Sequence, residues 1–341
     1  MDTIILPLIV QVAILFVMLV PGFLIKKCRL AGDGFGKGLS NLVLYIAQPA
    51  LIVYSYLYCR STPTLWQNVL WVLLLSLLAH GLFTAVALFF FRRAEDGKRR
   101  MLRFMTVFSN AAFMGIPLID AILGAEATIY ASIYNISFNL FLWSLGVYLC
   151  TARRDEDGDG IPDGEVKPKP AVSVKKIIFH PVILSSVLGV LCLLFDVGSY
   201  LTAVGDGLHP VLSVVIDSLL MLKNLVAPLS MVVVGLRLAD VSFRGAFRDK
   251  YLYLYLALRH AALPLALLLI LFVLSLVGLP LGETVTTVIL LLAATPAATS
   301  ATMFAEKYDC DAVYTSRTVI ISTLLSVATM PLIMLLASVL L

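Results

Sequence analysis

Residues 109–118 (Ser-Asn-Ala-Ala-Phe-Met-Gly-Ile-Pro-Leu) and 293–302 (Ala-Ala-Thr-Pro-Ala-Ala-Thr-Ser-Ala-Thr) place proline and small polar groups inside stretches that are otherwise apolar. Proline removes a backbone donor and disrupts the helix around it. A helix half that restarts after such a break presents free N–H groups and partial positive charge, which attract an anion. Asn110 and Gly115 stand beside Pro117, and Thr295, Thr299 and Ser300 flank Pro296, so small and polar side chains surround both breaks. The chemistry implied is non-covalent capture of a carboxylate. Exposed carbonyls at a broken helix are also sodium ligands, so a cation stays open as the alternative.

The elements that must position these residues are membrane spans. Hydrophobic residues make up 60% of the chain and charged residues 13%, outside the range of a soluble domain, and the mean hydropathy is +0.99. Apolar stretches fall at 5–25, 39–58, 65–91, 101–124, 127–150, 177–195, 208–238, 251–277, 284–305 and 312–341. Most reach the roughly 20 residues a helix needs to cross a bilayer. The expectation is an all-α polytopic membrane protein with ten transmembrane helices. The segment Met1-Asp2-Thr3-Ile4 has no basic n-region, so the first span is expected to be retained. The five cysteines are scattered without a CxxC pair and read as small apolar fillers.

Of the 25 basic residues, 22 follow odd-numbered spans, including Arg237 at the end of the seventh, whereas Arg60 alone lies in a loop after an even-numbered span. By the positive-inside rule both termini are extracytoplasmic. This placement accounts for the net charge of +4 without nucleic acid. Five spans per half, with the N-terminus outside, make the halves inverted repeats, a common transporter plan. Pro117 and Pro296 lie 179 residues apart, and the same offset pairs Pro49 with Pro228 and His80 with Arg259. The breaks therefore fall in spans 4 and 9. The expected division is 1–150 for the first repeat, 151–176 for a cytoplasmic linker and 177–341 for the second repeat.

Other polar residues within the spans are functional suspects, because ionisable groups in hydrocarbon are expensive. Lys223 lies near the centre of span 7, and its simplest structural partner is Asp217, although the spacing puts the two on different faces. Arg259 in span 8 reads equally well as a snorkelling side chain, and His80 as a neutral interhelical residue. Gln48 and Asn139 add buried amides that suit a polar ligand. No acid within the spans stands out as a proton carrier. In the linker, Asp155, Asp157, Asp159 and Asp163 with Gly160 match the start of an oxygen-ligand calcium loop. Val166 stands where the bidentate glutamate belongs, so a solvated acidic linker is the favoured reading and no metal or cofactor is expected.

Pro21-Gly22-Phe23-Leu24-Ile25-Lys26-Lys27, Leu39 to Tyr45 with Pro49-Ala50-Leu51, the Phe113 to Leu118 core and Met303 to Tyr308 occur in order along nearly the whole chain. In these segments the sequence resembles the auxin efflux carrier family of permeases. The resemblance implies two inverted five-helix repeats, with spans 4 and 9 crossing at the substrate site. It also implies a scaffold of spans 1, 2, 6 and 7 and a transport domain of spans 3–5 and 8–10 that slides as an elevator. Asn110, Pro117 and Pro296 match the family crossover, whereas Gln48 and Ala297-Ala298 depart from its usual pattern. The expected protein is thus an inner-membrane carrier of organic anions such as auxin-like acids, malate or malonate. Lys223 is expected to lend charge from the scaffold side. Proton or sodium coupling and a homodimer stay open. The rivals are a sodium-coupled carrier of the bile-acid type and a membrane ligand sensor that moves nothing. An intramembrane enzyme is disfavoured, since no HExxH or nucleophile motif is present.

Overall fold

The computed structural model describes residues 2–32, 34–152, 179–198, 210–244 and 246–341, and the linker calcium-loop residues Asp155 to Asp163 lie outside them. The described residues are mostly helical, with no strand among them, and one isolated backbone bridge pairs Ser109 with Ala297. The first half contains α1 (Asp2–Val17), α2 (Leu19–Lys27), α3 (Phe35–Leu42), α4 (Gln48–Leu57), α5 (Pro63–Phe89), α6 (Asp96–Val107), α7 (Ile116–Phe141) and α8 (Val147–Thr151). The second contains α9 (Pro181–Leu194), α10 (Pro210–Asn224), α11 (Val226–Asp240), α12 (Lys250–Ala257), α13 (Leu263–Leu276), α14 (Glu283–Ala294), α15 (Ser300–Lys307) and α16 (Ala312–Leu340).

Seven continuous helical stretches are long and apolar enough to cross a membrane, and Pro181–Leu194 and Glu283–Ala294 are shorter apolar helices. One of the seven, Ala111–Thr151, runs for 41 residues and is not straight: Gly124 has φ +77° and ψ −162°. That backbone conformation suits glycine, and it turns the chain where the sequence placed the end of span 4. Helix starts follow local chemistry. Thr62 accepts from Leu65 N with Pro63 in the first turn, and the Asp249 and Asp311 carboxylates accept from Tyr251 N and Tyr314 N.

Widened π-turns at Val43–Ala47, Ala111–Gly115 and Leu258–Ala262 each end two residues before a proline, namely Pro49, Pro117 and Pro264. The proline ring cannot be accommodated against the carbonyl one turn back, and an extra residue in the turn relieves that clash. Proline thus bends these helices without ending them. Where α2 crosses α11 the backbones touch. A Cβ on Gly22 would lie 2.1 Å from Val232 O, and one on Gly235 would lie 2.1 Å from Leu19 O. Gly235→Leu is expected to force these helices apart and to cost several kcal/mol through overpacking. Size-exclusion chromatography of the detergent-solubilised variant checks this, and a monodisperse peak with wild-type melting would refute it.

Candidate functional site: a crossing of two broken helices

α6 ends at Val107 and α14 at Ala294, and each chain then runs unwound before its helix resumes. The two unwound segments pair with each other. Asn110 N donates to Pro296 O at 2.8 Å, and Ala298 N donates to Phe108 O at 3.0 Å. Backbone groups that proline and unwinding set free in hydrocarbon are therefore satisfied across the crossing. Ser322 holds a third, accepting from Ala297 N at 3.0 Å while its hydroxyl pairs with His260 Nε2 at 2.8 Å.

Four helix ends meet here, and their polarities are handled differently. The carboxyl ends of α6 and α14 converge on Arg259, which is completely buried. Its guanidinium donates to Ala293 O at 2.9 Å, Thr295 O at 2.7 Å and Thr106 O at 3.4 Å, with the Phe83 ring 5.6 Å away. A fork of donors with a permanent positive charge matches such a cluster of partly negative carbonyls. Arg259 does not snorkel; the converging carbonyls draw it inward.

The amino ends lie on the other side. Asn110 caps the π-turn leading into α7, and its carbonyl accepts from both Met114 N and Gly115 N at 3.1 Å. Thr299 precedes α15, and its hydroxyl reaches Asn110 Oδ1 at 3.5 Å. Gln48 Nε2 donates to Ala112 O at 2.8 Å, fixing α4 to the same turn. Arg237 comes from α11 and donates to Thr299 O and to the Thr302 hydroxyl. Two buried polar atoms beside these bonds, Asn110 Nδ2 and Gln48 Oε1, have no protein partner.

A cleft of about 760 Å³ opens next to this end of the crossing. Phe113, Thr299, Ser300 and Thr302 line it from the broken segments, and Ser40, Asn41 and Leu44 from α3 and its π-turn. Lys26, Lys37, Arg237 and Lys307 give it positive charge, set against Asp240 and Glu306, with Lys26 Nζ 3.6 Å from Asp240.

A family model described as membrane transport protein matches residues 7–334. The chain belongs to the auxin efflux carrier family. It is therefore a multi-pass membrane transporter, and the crossing is where this family member joins its two halves by direct backbone bonds. The comparison with curated proteins returns no match.

Of the residues singled out in the sequence, Gln48, Asn110, Gly115, Pro117, Thr295, Pro296, Thr299 and Ser300 all lie at or beside this crossing. A Cβ on Gly115 would meet Leu292 and Thr295, so the glycine lets α14 approach. Two others are placed elsewhere. Asn139 donates to Asn135 O at 2.8 Å, within its own helix. Lys223 pairs with Asp120 Oδ1 at 3.0 Å rather than with Asp217, because α7 comes within its reach and the spacing along its own helix does not favour Asp217. Asp120 is an acid within the spans that sequence reading passed over. Its place at the end of an apolar run makes Arg237 look like a topology-setting charge. The helix in fact continues to Asp240 and carries it into the crossing.

Proposed function

We propose that this family member carries small organic anions, mono- or dicarboxylates, by elevator-type alternating access. The observation that supports it most is the cleft at the amino ends of both broken segments, lined by Arg237 and Thr299, with the buried, unpartnered Asn110 Nδ2 on the side chain that Thr299 contacts. A carboxylate there would accept from Asn110 and the Thr299 and Ser300 region, with Arg237 supplying charge. Phe113 offers an apolar wall for the rest of the ligand. Ten spans in two inverted repeats fit the chain if the turn at Gly124 separates spans 4 and 5, and if the short helices Pro181–Leu194 and Glu283–Ala294 count as spans. Charge placement then puts the cleft on the cytoplasmic side of the inner membrane, with both termini outside. The scaffold would comprise spans 1, 2, 6 and 7, consistent with the tight α2–α11 contact.

Arg259 weighs against the sodium-coupled alternative. Half-helix carbonyl ends are the ligands such carriers offer to sodium, and here they already bind a guanidinium. The test is counterflow in proteoliposomes, with radiolabelled malate, malonate and an indole carboxylate offered separately. Saturable, sodium-independent exchange of at least one is expected. Ligand-induced thermal stabilisation without flux would favour the sensor, and flux that vanishes when sodium is replaced by potassium would favour the symporter.

A further inference from the structure

We infer that Lys223 and Asp120 form a gate that closes the crossing on the side away from the cleft. The inference rests on the alternating-access reading. Along three separate elements the ion pair stands apart from the cleft, and on span 2 the crossing falls between them. Along span 2 the cleft is lined by residues up to Leu44, Gln48 marks the crossing, and Tyr54 lies under the Lys223 ammonium at 4.8 Å from its ring centre. Along span 7 Lys223 comes first, and the cleft residues Val233 to Val241 follow. After the first break Phe113 lines the cleft and Asp120 comes two turns later.

The contact ties together the parts that must separate. Lys223 ends α10, which packs along α4 and against α11 but has no comparable packing on α7. Its side chain reaches out to Asp120 on α7, and both side chains are only 16% exposed. Asp120 also accepts from the Thr128 hydroxyl at 3.2 Å, across the turn at Gly124. Tyr54 stacks on Tyr58 at 4.5 Å and backs the ammonium. Asp217 is exposed. Half-buried ion pairs add little net stability, so a switching or registering role is their better-supported use. Sliding by one helical turn, about 5.4 Å, would pull a 3.0 Å pair fully apart. The freed ammonium would then face the outer path as the first cation met by a carboxylate entering from that side.

Two measurements on the full chain in liposomes test this, with the five native cysteines replaced. In the first, Ser230, fully buried on α11 between Lys223 and the cleft residues, is replaced by cysteine (Ser230→Cys) and probed from the outer side with a membrane-impermeant maleimide. Adding Lys223→Met or Asp120→Asn is expected to raise its labelling rate roughly tenfold, the shift from losing one charge-assisted tie. The swap Lys223→Asp with Asp120→Lys is expected to return it toward the parent rate. In the second, Lys223→Cys and Asp120→Cys are joined by a reducible bifunctional thiol reagent. Counterflow of the best malate or malonate substrate is expected to stop and to recover on reduction. Unchanged labelling in both single variants, or full counterflow through the cross-linked protein, would overturn the gate. If the parent protein moves no carboxylate at all, the transport reading fails, and the labelling rates still judge the gate by themselves.

Discussion

Arg259→Met is expected to melt roughly 10 °C below the wild type and to be recovered in poor yield. The reason is what the guanidinium holds. Removing it leaves Ala293 O and Thr295 O, with the weaker Thr106 O, without their donor in a fully buried place. An unsatisfied buried polar group costs about 1–3 kcal/mol. Two or three of them give about 3–5 kcal/mol, and a large domain loses about 2–4 °C per kcal/mol. Two further outcomes identify the cause. Arg259→Lys keeps the charge but lacks the fork, so its melting temperature should fall between those of the wild type and Arg259→Met. Millimolar guanidinium added to an Arg259→Ala variant should restore part of the lost stability, while leaving the wild type unaffected. A variant that melts like the wild type would mean that water satisfies these carbonyls, and the crossing would then need another account.

Asn110→Ala is expected to abolish uptake at low substrate concentration while membrane expression is retained. Asn110 joins both breaks: its N–H donates to Pro296 O, its side-chain oxygen accepts from Thr299, and its carbonyl closes the turn that starts α7. Alanine preserves the two backbone contacts and deletes only the amide. The structure should therefore survive, and the loss should fall on the ligand. A hydrogen bond to a charged group is worth about 1.5–3 kcal/mol, or roughly a 10- to 150-fold loss of affinity. Measuring uptake against substrate concentration separates the outcomes. A raised half-saturation concentration with expression intact supports direct contact, whereas wild-type transport would remove Asn110 from the site.

The sequence made the positions of the breaks legible because proline acts locally. Its missing donor and its ring perturb the helix wherever it stands, so Pro117 and Pro296 marked the crossing, whereas the widened turns before Pro49 and Pro264 emerge only in the structure. Apolar run length and charge alternation were legible for a similar reason: both reflect the surrounding solvent rather than a particular partner. The roles of charged residues were not legible in this way. Arg237 sits where a topology-setting charge would sit, and only helix packing carries it to Thr299 and Thr302. Arg259 has the length to snorkel, and only the meeting of two helix carboxyl ends gives it a reason to stay inside.

By itself, then, the sequence determined that this chain is a helical membrane protein and that two of its helices break. The tertiary structure decided which cation belongs to which task. It gave Arg259 to the carbonyl ends, Arg237 to Thr299 and Thr302 beside the cleft, and Lys223 to Asp120 on α7. The physical reason is that solvent preference and proline geometry belong to single residues and short segments. A charge in a low-dielectric interior is defined by its partner, and each of these three partners lies on a different helix.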